Sequence, residues 1–329
     1  MHDCPTIKVF VCYLLRVIFL RLIKDKNICL LTNDVEITSI VNGGLRTETG
    51  VKVWKEGLPR LLDLYDKYEV RATFFFVADF AKDFPEIVKM VQKHGHEVAC
   101  HGLTHDHRQA FDSMTFDEQK KHLSEAKKIL EDIAGEEVVS FRAPALRVNE
   151  FTPKALIETG FQNDSSVAPQ RMDMFMSLGS KNKLAWLKAP RRPYFVSENN
   201  LARKGTSTLM EIPVSSFIFP YIGTFMRLSP SLSNATRFFL FQETRNTHKP
   251  INFLIHPNEF ITEESLHQSV EKRSSNYLAY LLSDVLRHRL KQHNLGEKAA
   301  NLFEKEIQFW NKRNYRFISL KDYSPPNKE

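Results

Sequence analysis

Cysteine is scarce in this sequence: there are four in 329 residues, at Cys4, Cys12, Cys29 and Cys100, and none forms a CxxC pair. That excludes a disulfide framework and a zinc ribbon and leaves reduced thiols as the expectation. Glycine (12) and proline (15) are too few for a low-complexity or collagen-like chain. An uncharged apolar run of spanning length is also missing, since a membrane helix requires about 20 such residues. The nearest approach is residues 7–23, IKVFVCYLLRVIFLRLI, which carry Lys8, Arg16 and Arg21 and no alanine for a signal-peptide cleavage site. Residues 1–25 are therefore expected to form an amphipathic helix or anchor in peripheral contact with a membrane surface, ahead of one globular domain over 26–329. The expected location is cytoplasmic, with membrane association through 7–23.

Lys plus Arg (46) exceeds Asp plus Glu (39), giving a net charge of +7 that is not gathered into a stripe or tail. No nucleic-acid partner is expected from such a distribution. Apolar residues at 42% and charged residues at 26% suit a folded domain with a sizeable core.

Within that domain, residues 27–32, NICLLT, lead into Asn33, Asp34 and Glu36 and read as a buried strand with acids at its carboxyl end. Asn42-Gly43-Gly44 reads as a turn. Residues 51–68 place Val53, Leu58, Leu61, Leu62 and Tyr65 at helical spacing. Residues 70–77, VRATFFFV, read as a second strand with Phe74 to Phe76 in the core. Pro85 opens a helix over 85–94 that Gly95 stops, and HEVAC (96–100) delivers a third strand to His101. Thr115 and Glu118 form a capping box for a helix over 116–134. Further strands are predicted at 137–142, 209–214, 251–255 and within RFISLKDY (316–323), with helices at 153–159, 275–294 and 297–313. This alternation predicts an α/β fold with a mostly parallel sheet, whose site lies at the carboxyl ends of the strands.

The polar groups that fall there suggest a chemistry. In His101-Gly-Leu-Thr-His105, residues i and i+4 on one helical turn would present both imidazoles to one ion. A lone HxxxH is weak evidence. A carboxylate from Asp34-Val-Glu36 would complete a two-histidine, one-carboxylate site. In an extended strand these two acids share a side, so one would bind the ion while the other takes a proton from water; the bland alternative is a pair of solvated or capping acids. Arg142, in Phe141-Arg-Ala-Pro144, would hold the base ionised. His256 would be a general acid oriented by Asp164, against the alternatives of a strand-end histidine and an Asx turn. Residues 165–208, with Lys181, Lys183, Lys188 and Arg191-Arg-Pro-Tyr194, are either a substrate-facing lid or a solvated basic loop.

Taken in order, these stretches resemble the polysaccharide deacetylase family, the NodB-homology domains of carbohydrate esterase family 4. The resemblance rests on Arg71-Ala-Thr-Phe-Phe-Phe76 with Gly95-His-Glu-Val-Ala-Cys-His101-Gly-Leu-Thr-His105. It continues through Phe141-Arg-Ala-Pro144, Gly160-Phe-x-x-Asp164-Ser-Ser and Ile255-His256-Pro257-x-Glu259-Phe. It implies a distorted (β/α) barrel and a divalent-metal hydrolase, with Zn2+ the expected ion, that removes acyl groups from sugars. By the same likeness Asp34 is the base, Glu36, His101 and His105 hold the metal, Arg142 supports the base, His256 is the acid and Asp164 its partner. The Asp34-Val-Glu36 spacing departs from the family's commoner adjacent pair of Asp residues, and Gly102 stands where Ser or Thr is usual. The expected function is deacetylation of an N-acetylated amino sugar in a glycan or lipid-linked saccharide. The competing expectations are a metal-independent amidohydrolase on a small amide and a non-catalytic carbohydrate-binding module.

Overall fold

A computed structural model describes residues 27–169, 186–265 and 290–325. The expectations for residues 1–25, for Lys181 and Lys183 and for a helix at 275–289 lie outside the described residues.

Twelve strands are described: β1 (Ile28–Val35), β2 (Thr73–Phe76), β3 (Glu97–Cys100), β4 (Ser140–Phe141), β5 (Asn163–Asp164), β6 (Tyr194–Ser197), β7 (Asn200–Lys204), β8 (Met210–Glu211), β9 (Ser216–Phe217), β10 (Phe219–Pro220), β11 (Ile251–Ile255) and β12 (Arg316–Phe317). All but β9 and β10 form one sheet in the order β11-β1-β2-β3-β4-β5-β8-β6-β7, with β12 on the start of β1. Pairing is parallel from β11 to β8 and antiparallel where β6 meets β8 and β7. Helices intervene at Thr47–Lys52, Leu58–Lys67, Ala78–Asp83, Pro85–Lys93, Phe116–Ala134, Thr152–Glu158, Gly223–Leu228, Pro230–Thr247 and Glu297–Asn311.

The strand period of two sorts β1 into two faces. Cys29, Leu31 and Val35 join the large core between sheet and helices, and Asn33 meets the Tyr65 hydroxyl at 2.7 Å. Leu30, Thr32 and Asp34 alternate onto the inner face of the curved sheet. Phe75 of β2 and Ala99 of β3 face the same way, while Phe74, Phe76, Val98 and Cys100 join the outer core. The inner cluster is small: Leu30, Phe75, Ala99, Met210, Ile212, Ile318, Leu320 and Tyr323. The C-terminal stretch supplies three of these and is pinned at the amino ends of β2 and β3. There the Leu320 amide donates to Thr73 Oγ1 (2.8 Å) and the Lys321 amide to Glu97 Oε2 (3.0 Å). The inner face is therefore plugged with apolar side chains at one end and left polar at the other.

Several predicted elements stand as expected. The strand at 251–255 and the helix over 116–134 match to the residue, and the Thr115–Glu118 capping box forms. Others differ. The predicted strand 137–142 pairs only at Ser140–Phe141, and the predicted strand 209–214 only at Met210–Glu211. β1 runs past Asp34, so that acid lies on the strand rather than after it. The helix expected over 51–68 contains a π-turn at Val53–Gly57. The insertion contributes the antiparallel pair β6–β7 to the sheet edge, and Arg191 pairs with Glu243 at 2.6 Å. Those pairings tie residues 191–204 to the sheet edge and to the helix Pro230–Thr247, and residues 170–185 of the segment lie outside the described residues. Among the described residues no helix is long and apolar enough to cross a membrane.

The π-turn has a packing reason. A Cβ on Gly57 would overlap the Pro257 carbonyl oxygen and crowd Ile261, so only glycine lets this helix close on the loop that follows β11. Gly57→Ala is expected to cost about 1–3 kcal/mol through this overpacking, read as a lower urea midpoint at unchanged m-value.

Candidate active site

Four strand ends and two loops build the site. The inner-face alternation of β1 carries Asp34 and, one step beyond the strand, Glu36. β3 delivers His101, but the chain then leaves as a loop, not the helical turn expected from the HxxxH spacing. Gly102 turns it at φ +79, a conformation that side-chain-bearing residues rarely adopt. The loop returns His105 beside Glu36, with Nε2 2.6 Å from Oε2. Ligand atoms of Glu36, His101 and His105 all lie within 4.8 Å of one another, so the triad expected from sequence converges.

His101 Nδ1 lies 2.8 Å from the Arg142 carbonyl oxygen. A carbonyl only accepts, so Nδ1 carries the hydrogen and Nε2 presents its lone pair to the cluster. Burial, with His105 adding to it against the pull of Asp34, pushes this imidazole down to about 4, keeping it neutral at pH 7. Burial also works against the Glu36 charge, but His105 outweighs it and holds the carboxyl below its ordinary range. A buried carboxylate and a neutral, oriented imidazole meeting a second imidazole form a donor set suited to a divalent ion such as Zn2+.

Arg142 is fully buried. Its Nη1 donates to Asp34 Oδ1 (2.8 Å), its Nη2 to Thr32 Oγ1 (2.9 Å) and Ser165 Oγ (2.8 Å), and its Nε to the Ser165 carbonyl (2.9 Å). The guanidinium carbon sits 4.4 Å from the Phe75 ring centroid. Burial opposes ionisation of Asp34, yet Arg142, His101 and His256 together hold its carboxyl below the ordinary value of 3.8. The other Asp34 oxygen, Oδ2, lies 3.8 Å from both His101 Nε2 and His256 Nε2.

Asp164 is not the partner of His256. It sits opposite Glu211 in the β5–β8 register and accepts from Ser166 Oγ at 2.6 Å. Burial raises both carboxyls, Glu211 well above its ordinary value, and they accept from Ser166 and from the Val167 amide, which supports the turn under Arg142. The carboxylate beside His256 is Glu259: Nδ1 lies 3.0 Å from Oε1, and the fully buried Arg227 binds Oε2. Burial would raise Glu259, but Arg227 and His256 overcome it and hold it at about 2. Burial lowers His256, while the Glu259 hydrogen bond and the charges of Asp34, Glu259 and Glu36 leave it above its ordinary 6.5. Glu259 was visible in the Ile255-His256-Pro257-x-Glu259 stretch, three residues from the histidine. Ser165 stood in the Gly160-Phe-x-x-Asp164-Ser-Ser stretch with no role assigned to it, and Thr32, Glu211 and Arg227 carried no readable signal. His94 pairs with Asp66 and His96 is buried against Tyr65 and Phe74, both away from the site.

A family model described as polysaccharide deacetylase matches residues 48–163, which include His101, His105 and Arg142. Residues 48–163 are thus similar to the polysaccharide deacetylase family. A peptidoglycan deacetylase of Helicobacter pylori is 31% identical over 118 residues, 36% of this chain and 39% of that protein. A peptidoglycan-N-acetylglucosamine deacetylase of Bacillus cereus is 32% identical over 105 residues, 32% of this chain and 47% of that protein. The chain thus spans less than half the length of these two relatives. In structure, a Mycobacterium smegmatis protein assigned to the polysaccharide deacetylases superposes with a TM-score of 0.52 at 18% identity, covering 92% of this chain and 96% of that one. The fold is accordingly a distorted (β/α) barrel like that of this neighbour, and Asp34, Glu36 and His256, which lie outside the matched residues, are brought to His101 and His105 by that barrel.

Two outcomes follow from the charges. The depressed Asp34 pKa contributes stability that is present above its unfolded value and lost as pH falls through the folded one. Arg142→Met leaves that carboxylate buried and unpaired, so urea unfolding at pH 7 should show a loss of about 3–5 kcal/mol and a smaller difference between pH 7 and pH 3. Glu259→Gln removes the charge that raises His256. If His256 acts as an acid, the alkaline limb of the pH–rate profile moves toward lower pH by about one unit.

Proposed function

We propose that this protein is a metal-dependent hydrolase that removes the acetyl group from an N-acetylated amino sugar of a glycan. The convergence of Glu36, His101 and His105 within 4.8 Å, flanked by the Asp34–Arg142 and His256–Glu259 pairs, carries the reading. The names of the relatives, both deacetylases of peptidoglycan, support the substrate class.

Glu36, His101 and His105 would hold a divalent cation, with Zn2+ fitting the donors, and such an ion when bound supplies Lewis acidity toward a carbonyl and acidifies water. The protein's own groups divide the remaining work. Asp34 is ionised at neutral pH and 3.8 Å from two imidazoles, so it takes the proton from the water that adds to the acetyl carbonyl. Arg142 keeps that carboxylate charged and aimed by a 2.8 Å bond. His256, with Nδ1–H committed to Glu259, presents Nε2 to the same space. It gives its proton to the sugar nitrogen as the carbon–nitrogen bond breaks, leaving acetate and a free amine. A neutral leaving nitrogen needs that proton, because an amide anion is a very poor leaving group.

The test combines metal content with product release. Wild-type protein loaded with Zn2+ is expected to release acetate from N-acetylglucosamine oligomers or peptidoglycan and to lose that activity on chelation. His101→Ala and His105→Ala should each lower metal affinity and reduce acetate release at least about 100-fold, with far-ultraviolet circular dichroism unchanged. Full turnover by the chelated wild type would refute the metal role and favour a metal-independent amidohydrolase.

A further inference from the structure

The hairpin β9–β10 and the helix Pro230–Thr247 carry an apolar face that neither the core nor the proposed chemistry uses. The hairpin tip reads Phe217-Ile218-Phe219. Ile218 is 50% exposed and sits at φ 63, a region that β-branched residues rarely adopt. A turn shaped for solubility alone would place Gly or Asn there. Phe217 stacks on Phe239 (centroids 4.7 Å apart), Phe239 meets Phe238 at 5.9 Å, and Phe219 stacks on Phe225 at 4.9 Å. Phe238 and Phe239 are 52% and 47% exposed, and Leu232, two helical turns before Phe239, is 45% exposed. Contiguous exposed rings of this kind mark an interaction surface.

The rim identifies the partner. Arg191 lies 5.7 Å over the Phe217 ring, and Arg192 and Arg245 are exposed. Glu243, the one acid among residues 230–247, is already shared by Arg191 (2.6 Å) and Lys249 (3.1 Å). Exposed aromatic anchors on a helix that also carries the exposed Arg245, next to the exposed Arg192, complement an anionic lipid surface, where rings enter the headgroup boundary and guanidinium groups meet phosphates. A second copy of the same face would set cation against cation. Sequence continuity points the same way. The apolar, basic run 7–23 joins the described fold at Asn27, whose Oδ1 lies 3.0 Å from Nδ1 of His248, the residue that closes this helix.

We propose that the β9–β10 hairpin and the exposed face of the helix Pro230–Thr247 dock on an anionic lipid bilayer. Co-sedimentation of the full chain with phosphatidylcholine vesicles, with and without phosphatidylglycerol, tests this independently of catalysis. Wild type should partition to the anionic vesicles. Phe238→Ser with Phe239→Ser should weaken that partition about tenfold. Arg192→Gln with Arg245→Gln should weaken it about fivefold per cation at low salt, without affecting binding to vesicles that lack phosphatidylglycerol. Ile218→Asn, which relieves the backbone and leaves the core untouched, should weaken it in the same direction, and thermal unfolding of each variant separates lost binding from lost fold. Partition equal to wild type in all three variants overturns the proposal. So does a result in which the phenylalanine variant merely converts a dimer of the free protein to monomer, because a second copy is then the occupant.

Discussion

The buried guanidinium of Arg142 is the constraint on which the rest of the site depends. A fully desolvated cation is tolerable only if its donors find acceptors, and here β1 supplies Asp34 and Thr32 and the turn after β5 supplies the carbonyl and hydroxyl of Ser165, to a guanidinium carried just past β4. That requirement fixes the relative height of the three segments. Because the carbonyl of the same residue receives the His101 hydrogen, the orientation of one imidazole and the charge of Asp34 are set by a single residue. Behind it burial raises the carboxyls of both Asp164 and Glu211, which disfavours negative charge behind the turn. Burial pushes all of these carboxyls upward, and the ones held below their ordinary values are those facing the buried arginines or the three site histidines.

What the sequence made legible was governed by period and spacing. The i, i+2 relation of Asp34 and Glu36 placed both on the inner face because β1 is long enough for its alternation to hold. β2, β3 and β11 were readable for the same reason, as unbroken runs of β-formers between clear stops. β4, β5 and β8 pair over two residues each, too short for any periodicity, and their placement comes from the sheet rather than from local preference. The helical rationale for His101 and His105 failed although the residues meet. Gly102 takes the chain into a loop, and a loop of the right length brings two imidazoles together as well as a helical turn does. The error over Asp164 was one of distance: a remote carboxylate was chosen when Glu259, three residues from His256, lay within reach. Local geometry decided that pairing, and Asp164 was drawn instead to its register partner on β8. Nor could Arg227 be read from sequence, because its only cue is the buried carboxylate it neutralises.

Electrostatics divides the molecule into an interior where ionised groups are paired and an exterior where cations are left over. Inside, Arg142 faces Asp34 and Arg227 faces Glu259, and each pair sits beside an imidazole that the proposed chemistry uses. Outside, the surplus behind the +7 net charge includes the exposed Arg192 and Arg245, and Arg245 shares the helix Pro230–Thr247 with the exposed rings of Phe238 and Phe239.

The pinning of Ile318, Leu320 and Tyr323 against the amino ends of β2 and β3 bears on how the chain is made. β1 finds partners in β2 within about fifty residues, but its pairings with β11 and β12 span well over two hundred. During synthesis the early strands must wait, with one flank unpaired and the inner apolar cluster open, until residues 251–255 and 316–323 have emerged from the ribosome. Closure of this barrel therefore waits for residues far along the chain, and until they arrive the open inner cluster is the surface most exposed to aggregation.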